Sequence, residues 1–321
     1  MKVNVGSVYI YGQGILDLNE LVMQTKFHTD PNAHYGLGVW EGVRCNNGKL
    51  FRLADHAKRL INSAKITQTP LPVDWKNPDE EIKKGIIAAA KKHIEKTGEK
   101  SFYIRPSIYY EYGEMGPDQI SSNKTGYRVV TWSWGQFHKE NVMGSGINMI
   151  VSQHFKFHSY PFFLKAKTPP NYALSIIEKE DARKKNCLDA IFLTKEGFVA
   201  EAIGANIFFV KDGKVLTPSN DMPEIINGIT RNSVIQLLKQ GGLEVIENLI
   251  PENLMYECDE AFLTGTAVRI VPITTITDKN EKKHLIGDGT PGEITRLSHN
   301  VYMEAINGDL SEFEDWLTDI N

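Results

Sequence analysis

The chain has 321 residues, which is enough for two domains or one large one. Its formal net charge of -4 gives no indication that it binds nucleic acid or an anionic membrane through bulk charge. Hydrophobic residues make up 41% and charged residues 24%, as in ordinary globular proteins, and no apolar run approaches the ~20 residues of a membrane-spanning helix.

The first part of the chain predicts a mixture of helices and strands. Apolar residues at helical spacing indicate one helix over 52–66, with Asp55 as its N-cap, and a second helix over 78–95. Aromatic and β-branched residues indicate strands over 101–110 and 127–134. This part therefore contains both kinds of element that a small α+β domain needs.

The second part predicts closely spaced strands between helices. Its hydrophobic pattern indicates helices over 171–185, 229–240 and 296–306. Short apolar and β-branched runs indicate strands over 147–153, 189–194, 198–201, 206–210, 214–216 and 260–263. The dipeptides Glu196-Gly197 and Asp212-Gly213 are typical of hairpin turns.

Between these two parts, the stretch 135–146 is polar and contains glycines, so it predicts a linker. We therefore expect a small N-terminal α+β domain over 1–134, an interdomain loop over 135–146 and a larger C-terminal domain over 147–321. The fold class that follows is α+β with two domains.

The cysteines bear on location and on metals. Cys45, Cys187 and Cys258 are few and widely spaced, so they indicate neither a zinc site nor a disulfide framework. The N-terminus lacks the apolar core of a signal peptide. These features favour a cytoplasmic protein, and we expect no metal site.

Two lysines, Lys165 and Lys167, precede Pro169-Pro170 in the segment 164–172, LKAKTPPNY. A buried lysine readily lowers its pKa and can form a Schiff base with a carbonyl compound. A lysine near a proline is also commonplace in surface loops, so these residues by themselves leave both interpretations open.

Glu201 opens the apolar segment 201–208, EAIGANIF. An unpaired carboxylate in such surroundings is costly, so Glu201 either reaches solvent at a strand end or has a partner. The protonated ring nitrogen of a pyridine cofactor is one such partner.

Two further segments have features of anion sites. The segment 227–231, NGITR, opens a predicted helix, where Gly228 permits close approach and the first amides are available to an anion. The segment 263–267, LTGTA, follows a strand and offers hydroxyl groups beside Gly265. Ordinary helix starts and turns often have the same compositions.

The order and spacing of these segments are more specific than any one of them. They resemble the class IV aminotransferase signature in Glu201-x-Ile203-x-x-Asn206-Ile207-Phe208, Val215-x-Thr217 and Ile226-x-Gly228-Ile229-x-Arg231. Other stretches resemble the branched-chain amino-acid aminotransferases of that class: 34–45 (HYGLGVWEGVRC), 59–65 (RLINSAK), 103–106 (YIRP) and 134–135 (WG). The resemblance covers nearly the whole chain.

The resemblance implies a two-domain class IV fold of the D-amino-acid aminotransferase type, whose larger C-terminal domain has a β-barrel-like core. It also implies pyridoxal 5'-phosphate as cofactor and reversible amino transfer from L-leucine, L-isoleucine or L-valine to 2-oxoglutarate. The partners implied are amino acids and 2-oxo acids, with no nucleic acid or membrane, and a homodimer or dimer-based assembly.

The resemblance also implies a cofactor site. Lys167 matches the lysine that holds the cofactor, because the family places it four residues before an Asn-Tyr pair, here Asn171-Tyr172, whereas Lys165 has the wrong spacing. Tyr172 matches the phenol at the cofactor's ring oxygen and Glu201 the partner of its ring nitrogen. The phosphate cradle implied consists of Arg59, Gly228, Ile229, Thr230 and Thr266.

A substrate site follows from the same resemblance. Tyr103, with the amides of Thr266 and Ala267, matches the site of the α-carboxylate. Arg105 with Tyr35 matches the receptor for the side-chain carboxylate of glutamate. The walls of the side-chain pocket implied are Trp40, Gly42, Arg44 and Trp134.

Two departures from the family pattern concern the site. The chain has Lys167-Thr168-Pro169-Pro170-Asn171-Tyr172 where relatives often have Lys-Ala-Gly-Gly-Asn-Tyr, and Arg269 where relatives often carry an acid. A D-amino-acid aminotransferase, an aminodeoxychorismate lyase and a non-catalytic cofactor-binding regulator are the alternative functions. The segment 40–44 and the Tyr103-x-Arg105 pair favour the branched-chain enzyme.

Overall fold

The computed structural model describes residues 5–10, 12, 14–16, 30–111, 116–118, 120–134, 142–156 and 159–320. Residues 135–141, which are most of the predicted interdomain loop, lie outside this described part. None of the helices within it is long and apolar enough to span a membrane.

The described part contains strands and helices throughout. The strands are β1 (Val5–Ile10), β2 (Gly14–Leu16), β3 (Val39–Trp40), β4 (Val43–Asn46), β5 (Lys49–Phe51), β6 (Phe102–Tyr110), β7 (Thr125–Trp132), β8 (Ile147–Phe155), β9 (Asp189–Leu193), β10 (Val199–Ala202), β11 (Asn206–Lys211), β12 (Lys214–Pro218), β13 (Val245–Asn248), β14 (Glu260–Gly265), β15 (Arg269–Thr277), β16 (Lys283–Leu285) and β17 (Leu317–Asp319). The α-helices are α1 (Pro31–Tyr35), α2 (Leu53–Ile66), α3 (Pro78–Thr97), α4 (Val142–Ser145), α5 (Pro170–Lys184), α6 (Ile229–Gln240), α7 (Leu254–Glu257) and α8 (Glu293–Asn307). Short 3₁₀ helices cover Ile120–Ser122, Pro161–Lys165 and Ser311–Trp316.

Most of the predicted elements are confirmed to within a few residues, but the predicted cap of α2 is wrong. Arg52 stands at the N-cap with φ 55°, and Asp55 lies in the first turn of the helix. The Asp55 carboxylate accepts a hydrogen bond from Arg52 Nε at 2.5 Å instead of capping a backbone amide. The predicted strand over 127–134 ends at Trp132, so Trp134 lies just beyond β7.

By its backbone contacts the chain divides into two units. The first comprises the described residues of Met1–Gly135, Ala166–Pro170 and Ala305–Asn321, and the second those of Gln136–Lys165 and Asn171–Glu304. The predicted domain boundaries stay a prediction. These units differ from that prediction because two segments of the predicted C-terminal domain, 166–170 and 305–321, belong to the first unit.

The first unit contains an antiparallel sheet of order β17-β5-β4-β6-β7-β1-β2, with β3 paired to β6. Helix α3 begins with a proline and three acidic residues in its first turn and ends at Gly98 with φ 73°, which are the expected start and stop signals. Leu60 of α2 and Ile86 of α3 are fully buried with Ile104 of β6 in one core cluster. The two helices therefore cover one face of this sheet.

The second unit contains a mixed sheet of order β10-β9-β8-β15-β14-β11-β12-β13, with β16 paired to β15. Strand β8 is parallel to both β9 and β15, and β12 is parallel to β13, whereas the other pairs are antiparallel. Strand β10, at one end of this order, also contacts β11 and β12, so the sheet curls on itself. Each unit thus has helices and its own sheet, which confirms the α+β class.

Candidate functional site

Lys167 lies in a short non-helical segment of the first unit, between the 3₁₀ helix Pro161–Lys165 and helix α5. Its backbone amide donates to Ser63 Oγ at 3.0 Å, and its carbonyl accepts from the Trp40 amide at 3.0 Å. The neighbouring Thr168 hydroxyl donates to the Gly38 carbonyl at 2.8 Å. These bonds tie the lysine to α2 and to the chain around β3.

The surroundings of the Lys167 side chain favour its neutral, nucleophilic form. Its Nζ lies 4.3 Å from the centre of the Trp40 ring. Burial, and next the Arg59 guanidinium, lower the pKa of Lys167 from 10.5 to about 8, although Glu41 opposes this shift. A lysine with this pKa is about one-tenth neutral at pH 7, far more than an ordinary lysine, and the neutral amine is the nucleophile.

Glu41, to which the sequence analysis assigned no role, forms a fully buried network beside this lysine. Arg59 donates to it from Nε at 2.5 Å and from Nη2 at 2.8 Å. His56 Nδ1 lies 2.8 Å from Glu41 Oε2, and the Gly42 amide donates to the same oxygen at 3.1 Å. The carboxylate therefore has hydrogen bonds with four nitrogen atoms, two of which belong to Arg59.

The charges of this network follow from its hydrogen bonds. Burial alone raises the pKa of the Glu41 carboxyl, but the Arg59 guanidinium and the hydrogen bonds from Arg59 and His56 outweigh burial and hold that pKa far below its usual range. Burial lowers the pKa of His56, and Glu41 opposes this shift only in part. At neutral pH we therefore assign an ionised Glu41 and a neutral His56 that donates from Nδ1.

An aromatic cluster, formed by Trp40, Tyr103, Trp132 and Trp134, lies on the face of the sheet opposite the core. Tyr103 and Arg105 share this face because alternate residues of a strand point the same way, and β7 places Trp132 directly opposite Tyr103. The Tyr103 ring centre lies 4.8 Å from that of Trp132 and 4.7 Å from that of Trp134. The cluster provides apolar walls in the first unit.

Arg105 adds one guanidinium group to the aromatic cluster. Its Cζ lies 4.1 Å from the centre of the Trp40 ring, and its Nη2 donates to the Tyr103 hydroxyl at 3.3 Å. Its Nε is buried and has no hydrogen-bond partner within the described part of the chain. A cation on an apolar wall is suited to a carboxylate at the end of an aliphatic chain.

Gly42 is required by the position of Tyr103. A Cβ atom built on Gly42 lies 2.0 Å from the Tyr103 hydroxyl oxygen and 2.8 Å from Cζ. Real Cβ atoms do not come that close to other atoms, so only glycine leaves space for the phenol at this position. The residue thus contributes by lacking a side chain.

The remaining predicted residues of the first unit occupy different positions. Arg44 is buried on β4 and pairs in register with Tyr103 of β6. Tyr35, the last residue of α1, is 43% exposed, and its ring packs near His34. The structure therefore groups Trp40, Tyr103 and Arg105 through direct contacts, and the predicted pairing of Tyr35 with Arg105 stays a prediction.

In the second unit, Glu201 is buried on β10 and has partners on both carboxylate oxygens. Its Oε2 accepts from Asn206 Nδ2 at 3.0 Å and from the Ile226 amide at 3.0 Å. Its Oε1 forms an ion pair with Lys156, which the sequence analysis did not identify. The alternative of a solvent-exposed Glu201 is excluded, since the residue is only 5% exposed.

Helix α6 begins beside this carboxylate. Asn206 Nδ2 also donates to the Ile226 carbonyl at 3.0 Å. A Cβ on Gly228 would lie 1.9 Å from Asn206 Oδ1, so the glycine is needed because the Asn206 side chain packs against it. No side chain within the described residues caps the amides at Gly228, and Thr230 Oγ1 is buried without a described partner. An anion at this helix start would supply the missing acceptors.

The other predicted residues of the second unit lie at element ends. Thr266 and Ala267 are half-buried in the turn between β14 and β15. Tyr172 is half-buried in the first turn of α5, next to Asn171, whose side chain donates to the Phe163 carbonyl at 2.9 Å. Thr264 Oγ1, at the end of β14, is buried and has no hydrogen-bond partner among the described residues.

Lys165, the competing lysine, belongs to the second unit. Its Nζ donates to the Asn220 carbonyl at 2.5 Å. Burial lowers its pKa as well, and the carboxylates of Asp221 and Glu201 oppose this shift. Lys165 thus has a backbone acceptor, whereas Lys167 faces an aromatic ring.

The two departures from the family pattern lie at the start of a helix and at the start of a strand. Pro170 is the first residue of α5, where its fixed φ and missing amide cost little. Arg269 begins β15 with φ 62° and donates to Met303 Sδ at 3.6 Å.

Several residues of these networks could have been selected from the sequence. Glu41 and Asn206 fall inside the motifs already identified, but they are not among the groups that the resemblance assigns. Lys156 falls outside those motifs and carries no local signal. Within the described ranges, no group of three or more His, Cys, Asp or Glu residues is arranged to hold a metal ion.

Comparison with known proteins gives consistent matches. Residues 38–276 match the model of the family described as Amino-transferase class IV. The chain is 32% identical over 289 residues to the branched-chain-amino-acid aminotransferase of Pseudomonas aeruginosa, which covers 89% of each chain. Its fold is similar to that of a T.th. branched-chain amino acid aminotransferase with pyridoxamine 5'-phosphate, with a TM-score of 0.87, 31% identity and 100% of both chains covered. A structure of the same T.th. protein complexed with N-(5'-phosphopyridoxyl)-L-glutamate matches with a TM-score of 0.86, 31% identity and 100% of both chains covered.

Proposed function

Because this chain belongs to the class IV aminotransferase family, we propose that it transfers the amino group of L-leucine, L-isoleucine or L-valine to 2-oxoglutarate. The products are L-glutamate and the branched-chain 2-oxo acid. The full-length likeness to class IV structures confirms the two-domain class IV fold that the sequence motifs implied. The main support for the proposal is that the amine of Lys167 faces the aromatic cluster and has a pKa of about 8.

The residues present fit pyridoxal 5'-phosphate. Lys167 supplies an amine for its aldehyde, and Glu201 supplies a buried carboxylate for its ring nitrogen. The helix start at Gly228 suits its phosphate, as does the Thr230 hydroxyl, which has no hydrogen-bond partner among the residues that the structure describes. We further assign Arg59, Ile229 and Thr266 to the phosphate, and Tyr172 to the ring oxygen.

When bound, the cofactor withdraws electrons from the substrate's Cα, so that the proton on that carbon becomes acidic. Lys167 Nζ then accepts the Cα proton as a general base, a role for which a pKa of about 8 is suitable. Glu201 keeps a negative charge at the ring nitrogen and thereby favours its protonated form. Asn206 and the Ile226 amide hold the Glu201 carboxylate in one orientation.

The residues that bind the substrate must accept both an aliphatic side chain and the side-chain carboxylate of glutamate. The apolar walls of the aromatic cluster suit the aliphatic chains of leucine, isoleucine and valine. The Arg105 guanidinium, with Tyr35, is assigned to the side-chain carboxylate of glutamate, and the complex of the T.th. relative with a glutamate adduct supports glutamate as a substrate. We assign the substrate's α-carboxylate to Tyr103 and the amides of Thr266 and Ala267, and the remaining pocket walls to Gly42 and Arg44.

The assignment of Lys167 is tested by comparing Lys167→Ala with Lys165→Ala. Lys167→Ala should lose both the visible absorbance of the bound cofactor and amino transfer, because no other described lysine faces the aromatic cluster. Lys165→Ala should keep both. Swapped results would show that the lysines are assigned in the wrong order.

The substrate class is tested by steady-state rates with L-leucine, L-valine, D-alanine and 4-amino-4-deoxychorismate. We expect turnover of the two branched-chain substrates, accompanied by a change in the cofactor's absorbance. Turnover of D-alanine alone would contradict the proposal, and so would cofactor binding without turnover of any of them.

We also propose that the protein is cytoplasmic and forms a homodimer or a dimer-based assembly. Three buried free cysteines support a reducing compartment. Exposed large apolar residues support an assembly, since exposed apolar patches often mark interfaces. They include Tyr160 and Phe162, whose ring centres lie 6.2 Å apart, and also Ile176 and Ile177. Light scattering of the purified protein measures the assembly directly.

A further inference from the structure

One face of helix α2 organises the surroundings of Lys167. His56, Arg59 and Ser63 follow one another at spacings of three and four residues, so they lie on the same side of the helix. His56 and Arg59 bind the Glu41 carboxylate, and Ser63 Oγ accepts from the Lys167 amide at 3.0 Å. This face therefore contacts both Glu41 and the backbone of the reactive lysine.

Hydrogen bonds hold both the backbone and the side chain of Glu41. Its amide donates to the Pro106 carbonyl at 2.9 Å, which fixes its backbone to β6. Its side chain is fully buried, with Arg59 bound in a two-pronged arrangement and His56 behind it. Such an arrangement fixes the plane of the guanidinium as well as its position.

We infer that Glu41 is a positioning residue, which holds the Arg59 guanidinium in place and supplies the negative charge that balances the arginines around Lys167. The inference rests on the proposed function and deepens it, because it assigns a role at the same site to a residue whose carboxylate is bound by Arg59, His56 and the Gly42 amide. It stands on the hydrogen bonds of Glu41 and on its complete burial.

The charges that act on Lys167 give the direction of the effect. Arg59 and Arg105 disfavour protonation of its amine, whereas Glu41 and Tyr103 favour it, and the neighbouring His56 is neutral at neutral pH. Removal of the Glu41 charge leaves the two guanidinium groups unbalanced. The amine of Lys167 should then lose its proton at a lower pH than in the wild-type chain.

The first measurement is the titration of Lys167 in the cofactor-free protein, followed by acetic anhydride labelling between pH 6 and 10 and mass spectrometry of the Lys167 peptide. Glu41→Gln keeps the shape of the side chain and removes its charge. We expect the midpoint to fall by about one pH unit, from about 8 to about 7, which raises the neutral fraction and hence labelling at pH 7 about fivefold. A wild-type midpoint in Glu41→Gln overturns the charge-balancing role.

The second measurement is the affinity of the cofactor-free protein for pyridoxamine 5'-phosphate, followed by tryptophan fluorescence. Glu41→Asp keeps the charge but shortens the side chain, so it should release Arg59 and weaken binding about tenfold. Wild-type affinity in this variant overturns the positioning role. The variant also remains informative should Glu41→Gln fail to fold.

Glu178→Gln is the matched control for both measurements. Glu178 is also a buried carboxylate bound by a histidine, His154, but it belongs to the second unit. It should leave the Lys167 midpoint and the affinity for pyridoxamine 5'-phosphate unchanged. The labelling requires no cofactor, so failure of the proposed function would appear in the Lys167→Ala test and leave the labelling result intact.

Discussion

Substitution of Lys156 by methionine should destabilise the protein, because it leaves the buried carboxylate of Glu201 without its ion-pair partner. Lys156 and Glu201 form an ion pair whose side chains are only 12% and 7% exposed. Methionine fills a similar volume but leaves the Glu201 carboxylate without its cation. The cost therefore comes from the buried anion that remains rather than from lost packing.

The size of the effect follows from the partners that Glu201 retains. Removing one partner of a buried ion pair typically costs about 3–5 kcal/mol. Glu201 still accepts hydrogen bonds from Asn206 and the Ile226 amide, so we expect the lower end, about 3 kcal/mol, for Lys156→Met. Adding Glu201→Gln removes the unpaired charge and should restore about 1–2 kcal/mol, since an amide oxygen can accept both bonds.

Urea unfolding of the cofactor-free protein, followed by circular dichroism, measures these free energies. The double variant should be more stable than Lys156→Met alone. If the two changes acted independently, their destabilising effects would add and the double variant would be less stable. Lys184→Met is the matched control, because Lys184 pairs with Asp181 at the surface and should have no measurable effect. A double variant no more stable than Lys156→Met would refute the reasoning, because Glu201 would then carry no charge that depends on Lys156.

Two further predictions concern Lys167 and Gly42. The rate at which the cofactor-free protein captures pyridoxal 5'-phosphate should rise about tenfold from pH 6 to pH 7 and level off above the Lys167 pKa of about 8, because only the neutral amine reacts. Stopped-flow absorbance measures this rate. A rise that continues to pH 10 would contradict the prediction. Gly42→Ala should lower kcat/KM for L-leucine about 100-fold while the cofactor absorbance is kept, because a Cβ 2.0 Å from the Tyr103 hydroxyl displaces the phenol. Gly241→Ala, whose new Cβ meets only ordinary contacts at 3.5 Å, is its control, and equal rates in the two variants would exclude the steric argument.

Helices were predictable where their signals are local. The apolar spacing along α2 and α6 identified both helices, because a helix repeats its own contacts every three or four residues. Strand β15 was missed although it is nine residues long. It begins at Arg269 with a positive φ. Its partners β14 and β16 are close to it in sequence, but its third partner, β8, lies far earlier in the chain. Pairing of this kind leaves little trace in the strand's own sequence.

The same difference applies to the candidate site. The distance of Lys167 from Asn171-Tyr172 selected it over Lys165, and the apolar run after Glu201 indicated that this carboxylate needs a partner. Neither observation shows that Lys156 is the partner within the chain. The close approach of an anion to Gly228 stays a prediction. The fold reveals a different need for this glycine, since the Asn206 side chain packs against it.

The chemical groups of this protein and their order could be identified from the amino-acid sequence: a lysine, a carboxylate, a helix start suited to phosphate and an arginine beside aromatic residues. The charge states and surroundings of those groups depend on the folded chain. The pKa of Lys167 near 8 depends on burial and on Arg59, Arg105 and Glu41, which lie on three other segments of the chain. Desolvation and charge interactions depend on distance in space, and a sequence records distance only along the chain.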